Sequence, residues 1–239
     1  GVVAASGTIG AMIPPSIAFI IYGWYAQQPI GALLIAGLLP GVLTAVVYAM
    51  MISLRVRANP SIAPLSPEKA TLSEKGAALL SIWPVPLLVI IVVGFMYSGI
   101  ATATEAGAIG AAAAISICVL RRTMTWRVLV DSLADAATSC ASVLIIAVGA
   151  SLLSKFLLLA GLPQAMGAFV TAYSIDMTMV LVFTVLLYLV LGMFLDPIGV
   201  MLVTLPILLP VYDALDMNLI WMGVLTIKLI EIGLLSPPV

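Results

Sequence analysis

The feature that most constrains this chain is a set of apolar runs long enough to cross a bilayer. Ile30 to Leu54 and Ala77 to Tyr97 each proceed without a single charged residue, and a spanning helix needs only about 17–25 such positions. A soluble domain carries roughly a quarter of its residues charged, whereas here 8% of 239 residues are charged and 64% are hydrophobic. Water is therefore not the solvent for most of this surface. A transmembrane barrel would show alternating segments of about ten residues. These runs are instead continuous and rich in Ala, Leu, Ile, Val and Gly, which reads as helix. The expectation is an all-α integral membrane protein, a multi-span helical bundle in the lipid bilayer.

Net charge is −1 and says little, but the placement of charge says more. Seven of the nine basic residues are Arg55, Arg57, Lys69, Lys75, Arg121, Arg122 and Arg127. No basic patch is interleaved with aromatics, so nucleic acid is not an expected partner. There is no histidine, which removes the commonest proton shuttle and most zinc sites. Cys118 and Cys140 lie in apolar stretches and read as packing residues rather than a disulfide. The chain opens on Gly1 with no leader pattern and stops at Val239 within an apolar run, so both ends read as cuts.

Along the chain, residues 1–28 form an apolar stretch interrupted by Gly7, Gly10, Pro14 and Pro15. Spans are expected at 30–54, 77–97, 105–120 and 128–160. The first basic loop, 55–75, contains Pro60, Pro64 and Pro67; the second is 121–127. Two spans separate these loops, so they share a side, and the positive-inside rule makes it the cytoplasm. Residues 164–176 read as a connecting helix along the outer surface. Residues 177–212 flank the break Asp196-Pro197 and read as a re-entrant hairpin, with two full spans as the alternative. Asp213 and Asp216 fall outside, and 217–239 re-enters to a second break.

That second break repeats the first. Gly10-Ala11-Met12-Ile13-Pro14-Pro15 and Gly233-Leu234-Leu235-Ser236-Pro237-Pro238 both read G-x-x-x-P-P within apolar sequence. Paired prolines remove donors and displace carbonyls, which breaks a helix. Backbone left unpaired at membrane depth is tolerated where it lines a cavity or is buried in protein. Two matched discontinuous helices are the sequence pointer to a secondary transporter with repeated halves and a midplane site. A half-helix starting near Pro15-Ser16 directs N–H groups at a carboxylate. One ending near Gly7-Thr8 leaves carbonyls for Na⁺, with hydroxyls from Ser6, Thr8 and Ser16. The plainer alternative is that such proline pairs only kink packed membrane helices.

Asp196, in Gly192-Met193-Phe194-Leu195-Asp196-Pro197, is an ionisable group in an apolar stretch, a costly and usually functional placement. Its alternative is a helix cap at the membrane surface. Glu105 follows Thr102-Ala103-Thr104 at a helix start, where an acid complements the dipole, and reads as structural. Lys155, Lys228 and Glu231 read as snorkelling side chains without chemistry.

These residues bear a family resemblance. Ala4-Ala5-Ser6-Gly7-Thr8-Ile9-Gly10 running into Ile13-Pro14-Pro15-Ser16 is similar to the large membrane subunit of tripartite ATP-independent periplasmic (TRAP) transporters. So are Gly99-Ile100-Ala101-Thr102-Ala103-Thr104-Glu105-Ala106, Asp196 through Pro206-Ile207, and Glu231-Ile232-Gly233-Leu234-Leu235-Ser236-Pro237-Pro238-Val239. Ala103 departs from the family's usual proline, which touches a turn only. The resemblance covers the whole chain and implies the C-terminal part of such a subunit, an elevator-type carrier with inverted repeats in the bacterial inner membrane. It implies Na⁺ as coupling ion, no cofactor, and an organic acid substrate such as a C4-dicarboxylate or sialic acid. It also implies a small membrane subunit and a periplasmic binding protein as partners. On that template the first break completes a site with a hairpin preceding residue 1, and Leu191 to Gly199 is the tip facing the second break. The binding candidates are then Ser6, Gly7, Thr8, Gly10, Pro14, Pro15, Ser16, Gly192, Asp196, Gly233, Ser236 and Pro237, with Na⁺ held by carbonyls near Gly7, Thr8, Gly192 and Ser236.

The nearest rival is a divalent anion/Na⁺ symporter-like carrier working without a binding protein. An enzyme is not expected. Tyr212-Asp213 matches half of an intramembrane aspartyl protease signature, but its Gly-x-Gly-Asp partner is missing, and serine and zinc proteases need the absent histidine.

Overall fold

The computed structural model describes residues 2–62 and 71–236, and every regular element among them is helical. In chain order the helices are α1 (Val2–Ile9), α2 (Ile17–Tyr25), α3 (Ile30–Ala58), α4 (Leu72–Ser81), α5 (Pro84–Tyr97) and α6 (Ala103–Leu120). They continue with α7 (Trp126–Leu159), α8 (Leu162–Ala172), α9 (Met177–Gly192), α10 (Pro197–Ala214) and α11 (Leu219–Leu235). By length and apolar character, α3, α6, α7 and α10 can each cross a membrane, while α5 and α9 are shorter apolar helices. This is a multi-pass helical membrane protein. At 1.5 Å per residue α7 measures about 50 Å, well beyond the roughly 30 Å hydrocarbon core. Its first turns carry Arg127, Asp131 and Asp135 and are the part suited to water.

Side-chain caps set where many helices begin. Thr102 and Glu105 form a capping box at α6: the Glu105 N–H donates to Thr102 Oγ1 (3.3 Å), and the Thr102 N–H donates to Glu105 Oε2 (2.7 Å). Thr71 and Glu74 do the same at α4. Asp176, Asp196 and Asn218 accept from the N–H groups of Met179, Gly199 and Trp221 to start α9, α10 and α11. Each such cap is worth about 1 kcal/mol relative to alanine.

The expected span 77–97 contains two helices, α4 and α5, parted at Ile82-Trp83. Pro84 and Pro86 supply no N–H to Leu80 and Ile82, so the ladder stops there, and Pro84 takes the first helical position of α5. Pro64, Pro67 and Lys69 of the first basic loop lie outside the described residues. Cys118 and Cys140 are both free, and Cys140 is exposed rather than packed.

The chain divides into two compact units. The unit of residues 39–129 is organised by α5 against α6. Gly110 permits that approach: a Cβ there would lie 2.6 Å from Val92 Cγ2. Between these helices Gly99 turns at φ +72°, a left-handed conformation that glycine adopts without strain.

The other unit, residues 1–38 and 130–239, holds most of the buried core. There α9 packs on α11, α10 on α8, and α2 on both α10 and α11. Tyr22, Tyr188 and Tyr212 are fully buried. Burying a tyrosine at membrane depth requires a partner for its hydroxyl. Tyr22 donates to the Leu219 carbonyl at 2.8 Å. Tyr188 meets Thr204 at 2.7 Å and Tyr212 meets Thr184 at 3.2 Å. The two pairs bridge α9 and α10 in antiparallel register, so these helices form a hairpin turning at residues 193–196.

Candidate functional site

The first proline pair does break a helix. α1 ends at Ile9 and α2 begins at Ile17. Gly10, Ala11 and Met12 donate back to the carbonyls of Gly7, Thr8 and Ile9 at 3.1–3.2 Å, which closes the end of α1 in tight turns. Pro14 and Pro15 then carry the chain, with a cis bond between them, to Ser16. Ser16 is 2% exposed, and its hydroxyl donates to the Ala11 carbonyl while accepting from the Phe19 N–H. One hydroxyl therefore ties the loop to the start of α2. Pro14 is buried; Ser6, Gly10 and Pro15 are exposed.

At the second break α11 ends at Leu235, and Ser236 turns extended at φ −87°, ψ 138°. Its N–H donates to the Gly233 carbonyl and its hydroxyl to the Ile232 carbonyl, both at 3.0 Å. Pro237 and Pro238 lie outside the described residues. Gly192, at the end of α9, and Gly233 touch backbone to backbone: a Cβ on Gly233 would lie 2.9 Å from Gly192 Cα and 3.0 Å from the Tyr188 carbonyl oxygen. Small residues at helix contacts are the usual device for close approach in membranes. The hairpin tip and the second broken helix thus meet, and glycine lets them do so. Asp196 caps α10 through its 2.9 Å bond from the Gly199 N–H, and its side chain is exposed.

These pieces converge on a cavity of about 270 Å³. α1 contributes Gly7 and Thr8 just before the first break, α10 contributes Pro197 and Met201, and α11 contributes Glu231 and Leu234. The structure therefore brings the first break, the start of the second hairpin arm and the end of α11 to one place. Ser16 and Ser236 do not line this cavity, and both hydroxyls are engaged by backbone. A larger cavity, about 430 Å³, lies by Tyr25, Ser154, Lys155 and Pro206. Among the described residues no group of three or more His, Cys, Asp or Glu is placed to hold a metal ion.

Glu231 departs from its sequence reading. It is 3% exposed rather than snorkelling, and its Oε2 pairs with Lys228 Nζ at 2.9 Å. Its Oε1 has no hydrogen-bond partner among the described residues. The signal for this was present: an acid in an apolar stretch, five residues before Ser236. Glu105, by contrast, is the capping residue its position implies.

Comparison with known proteins follows the same lines. The chain is 29% identical over 240 residues to the C4-dicarboxylate TRAP transporter large permease protein DctM of Pseudomonas aeruginosa, covering all of this chain and 56% of that protein. It is 30% identical over 241 residues to the sialic acid TRAP transporter large permease protein SiaM of Vibrio cholerae, covering 100% and 55%. To the 2,3-diketo-L-gulonate TRAP transporter large permease protein YiaN of Escherichia coli it is 31% identical over 241 residues, covering 100% and 56%. The chain spans about half the length of these relatives, and the match does not bear out the expectation that this is their C-terminal part. These relatives are transporter permeases and not enzymes, as the residues themselves suggested. A model of the DctM component of tripartite ATP-independent periplasmic transporters matches residues 1–239, and the chain belongs to that family.

Proposed function

We propose that the chain is part of the permease of a secondary, Na⁺-coupled TRAP transporter in the bacterial inner membrane. It would import an organic acid handed over by a periplasmic binding protein, beside a small membrane subunit. The observation that carries this reading is the convergence of α1, α10 and α11 on one cavity at the broken helices. Discontinuous helices at a shared cavity supply two opposite ends of backbone polarity. Carbonyls at the end of α1, each with a second lone pair beyond its turn hydrogen bond, suit Na⁺, and a helix start suits a carboxylate. The relatives named above act on C4-dicarboxylate, sialic acid and 2,3-diketo-L-gulonate. All are organic acids, which fits a site that reads a carboxylate through backbone groups.

In this reading Gly7 and Thr8 face the ion, with Ser6 and Gly10 shaping the end of α1. Pro14, Pro15 and Ser16 hold the break open. Gly192 and Gly233 set how closely the hairpin approaches α11, Asp196 adds charge at the tip, and Ser236 with Pro237 ends the second half-helix. All of these belong to one compact unit, as an elevator mechanism with inverted repeats requires of a moving transport domain.

The test is reconstitution of the full-length subunit with its small membrane partner and binding protein in liposomes. Labelled C4-dicarboxylates, sialic acid and related acids are then offered under an inward Na⁺ gradient. Uptake that needs both Na⁺ and the binding protein is the expected result. Uptake without any binding protein would move the assignment to a symporter-like carrier, and uptake indifferent to Na⁺ would remove the coupling ion.

A further inference from the structure

We propose that Glu231 is a ligand of the coupling cation, offering its Oε1 to a monovalent cation in the cavity shared by α1, α10 and α11. This rests on the Na⁺-coupled reading above and adds a carboxylate to a site so far built from backbone and hydroxyl groups.

Three observations meet at this side chain. It is 3% exposed, so bulk water does not solvate it. One oxygen is taken by Lys228 at 2.9 Å while the other has no hydrogen-bond partner among the described residues. And the side chain lines the 270 Å³ cavity. An ionisable group kept inside a membrane segment is costly and is retained for pathways or partners. A bare carboxylate oxygen in such a place has a large desolvation cost until something positive reaches it.

The cavity limits what that can be. From α1 it is lined by Gly7 and Thr8, from the break by Ala11, from α2 by Ala18, and from α10 by Pro197 and Met201. None of these brings a charge, and the neighbours on α11 are Ile227, Ile230 and Leu234. Among the described residues Lys228 is the cation paired with Glu231, and it occupies Oε2. A small hard cation suits oxygen donors, here Glu231 Oε1, the Thr8 side of α1 and nearby carbonyls.

Charge balance then gives coupling its direction. Lys228 and Glu231 together are neutral, so an empty cavity offers an organic anion no net attraction. A bound cation makes the cavity net positive and draws the carboxylate in. The two ligands would each tighten the other, as linkage requires.

The experiment uses the full-length subunit with its small membrane partner, without substrate. Thermal stability is followed against NaCl, with choline chloride keeping ionic strength constant, and Na⁺ half-saturation of uptake is measured in liposomes. Wild type should show a Na⁺-specific rise in Tm. Glu231→Gln should raise both Na⁺ half-points by about tenfold or more, while substrate KM at saturating Na⁺ stays within about threefold. Lys228→Gln should move them the opposite way, because the carboxylate is no longer shared. A purely structural ion pair predicts instead that both variants lower Tm and leave the Na⁺ half-points alone, and that result overturns the proposal. If Glu231→Gln does not fold, a Lys228→Gln protein with weakened Na⁺ response overturns it equally. A wild type with no Na⁺ response in either assay removes the Na⁺-coupled reading itself, whereas a wild-type response unchanged in Glu231→Gln removes only the glutamate.

Discussion

Gly192 and Gly233 face each other across the α9–α11 contact so closely that a Cβ added to Gly233 would come within 2.9 Å of Gly192 Cα. The obstructing atoms are backbone and cannot rotate away. Gly233→Ala should therefore cost about 1–3 kcal/mol, the range for overpacking. Gly107 in α6 is the control, because a Cβ there meets nothing within 4 Å. Reversible unfolding of the purified protein should show a Tm drop of several degrees for Gly233→Ala and none for Gly107→Ala. Equal behaviour of the two would mean that α9 and α11 are not in backbone contact.

A pH-dependent effect is expected at α4. The Thr71 N–H donates to the Glu74 carboxylate at 2.7 Å and holds its carboxyl below the ordinary value. A group whose folded pKa is lowered contributes stability above its unfolded value, about 4.3 for glutamate. That contribution is lost as pH falls through the folded value. Amide exchange in the first turn of α4, corrected for intrinsic rates, should lose protection below about pH 4 in wild type. In Glu74→Gln it should not change with pH across that window. Identical profiles would show that the carboxylate plays no part in the cap.

The breaks were legible in sequence because proline acts locally. Pro14-Pro15 and Asp196-Pro197 mark where helices stop and start, and the same rule applied to Pro84 and Pro86 parts α4 from α5, whereas Pro40, Pro206 and Pro210 stay inside α3 and α10. Thr102 and Glu105 announced α6 in the same local way. What sequence could not provide was the facing of helices. Glu231 lies in a helix with apolar residues all round, so an acid in an apolar stretch is visible in the sequence while no periodicity marks which side of the helix α1 and α10 meet. The Gly192–Gly233 contact joins positions 41 residues apart in sequence, and the pairing of Tyr188 with Thr204 depends on hairpin register.

Asp196 caps α10, and the proposed site gives it a second, separable job. As the N-cap of α10 it needs only an oxygen acceptor, and asparagine caps as well as aspartate. As a charged group at the hairpin tip it needs ionisation. Asp196→Asn should leave stability within about 0.5 kcal/mol of wild type, and Asp196→Ala should lose about 1 kcal/mol. Na⁺-driven uptake should fall in both. Full uptake in Asp196→Asn would confine this residue to the cap and move the charge of the site to Glu231.

Ser16 is the remaining test of how the first break is held. Its hydroxyl sits at 2% exposure, donating to the Ala11 carbonyl and accepting from the Phe19 N–H. Ser16→Ala removes both bonds at once and strands two backbone groups away from water, a loss of about 1–3 kcal/mol. Ser16→Thr keeps a hydroxyl and should recover most of it. Because that hydroxyl is already committed to the backbone, the alanine variant should unfold at lower temperature yet keep its Na⁺ half-saturation within about twofold. Uptake at saturating Na⁺ should decline with the fraction folded. The reverse pattern, unchanged Tm with a Na⁺ half-saturation raised about tenfold, would make Ser16 an ion ligand. The Ala11 bond would then have to open each time the cation binds.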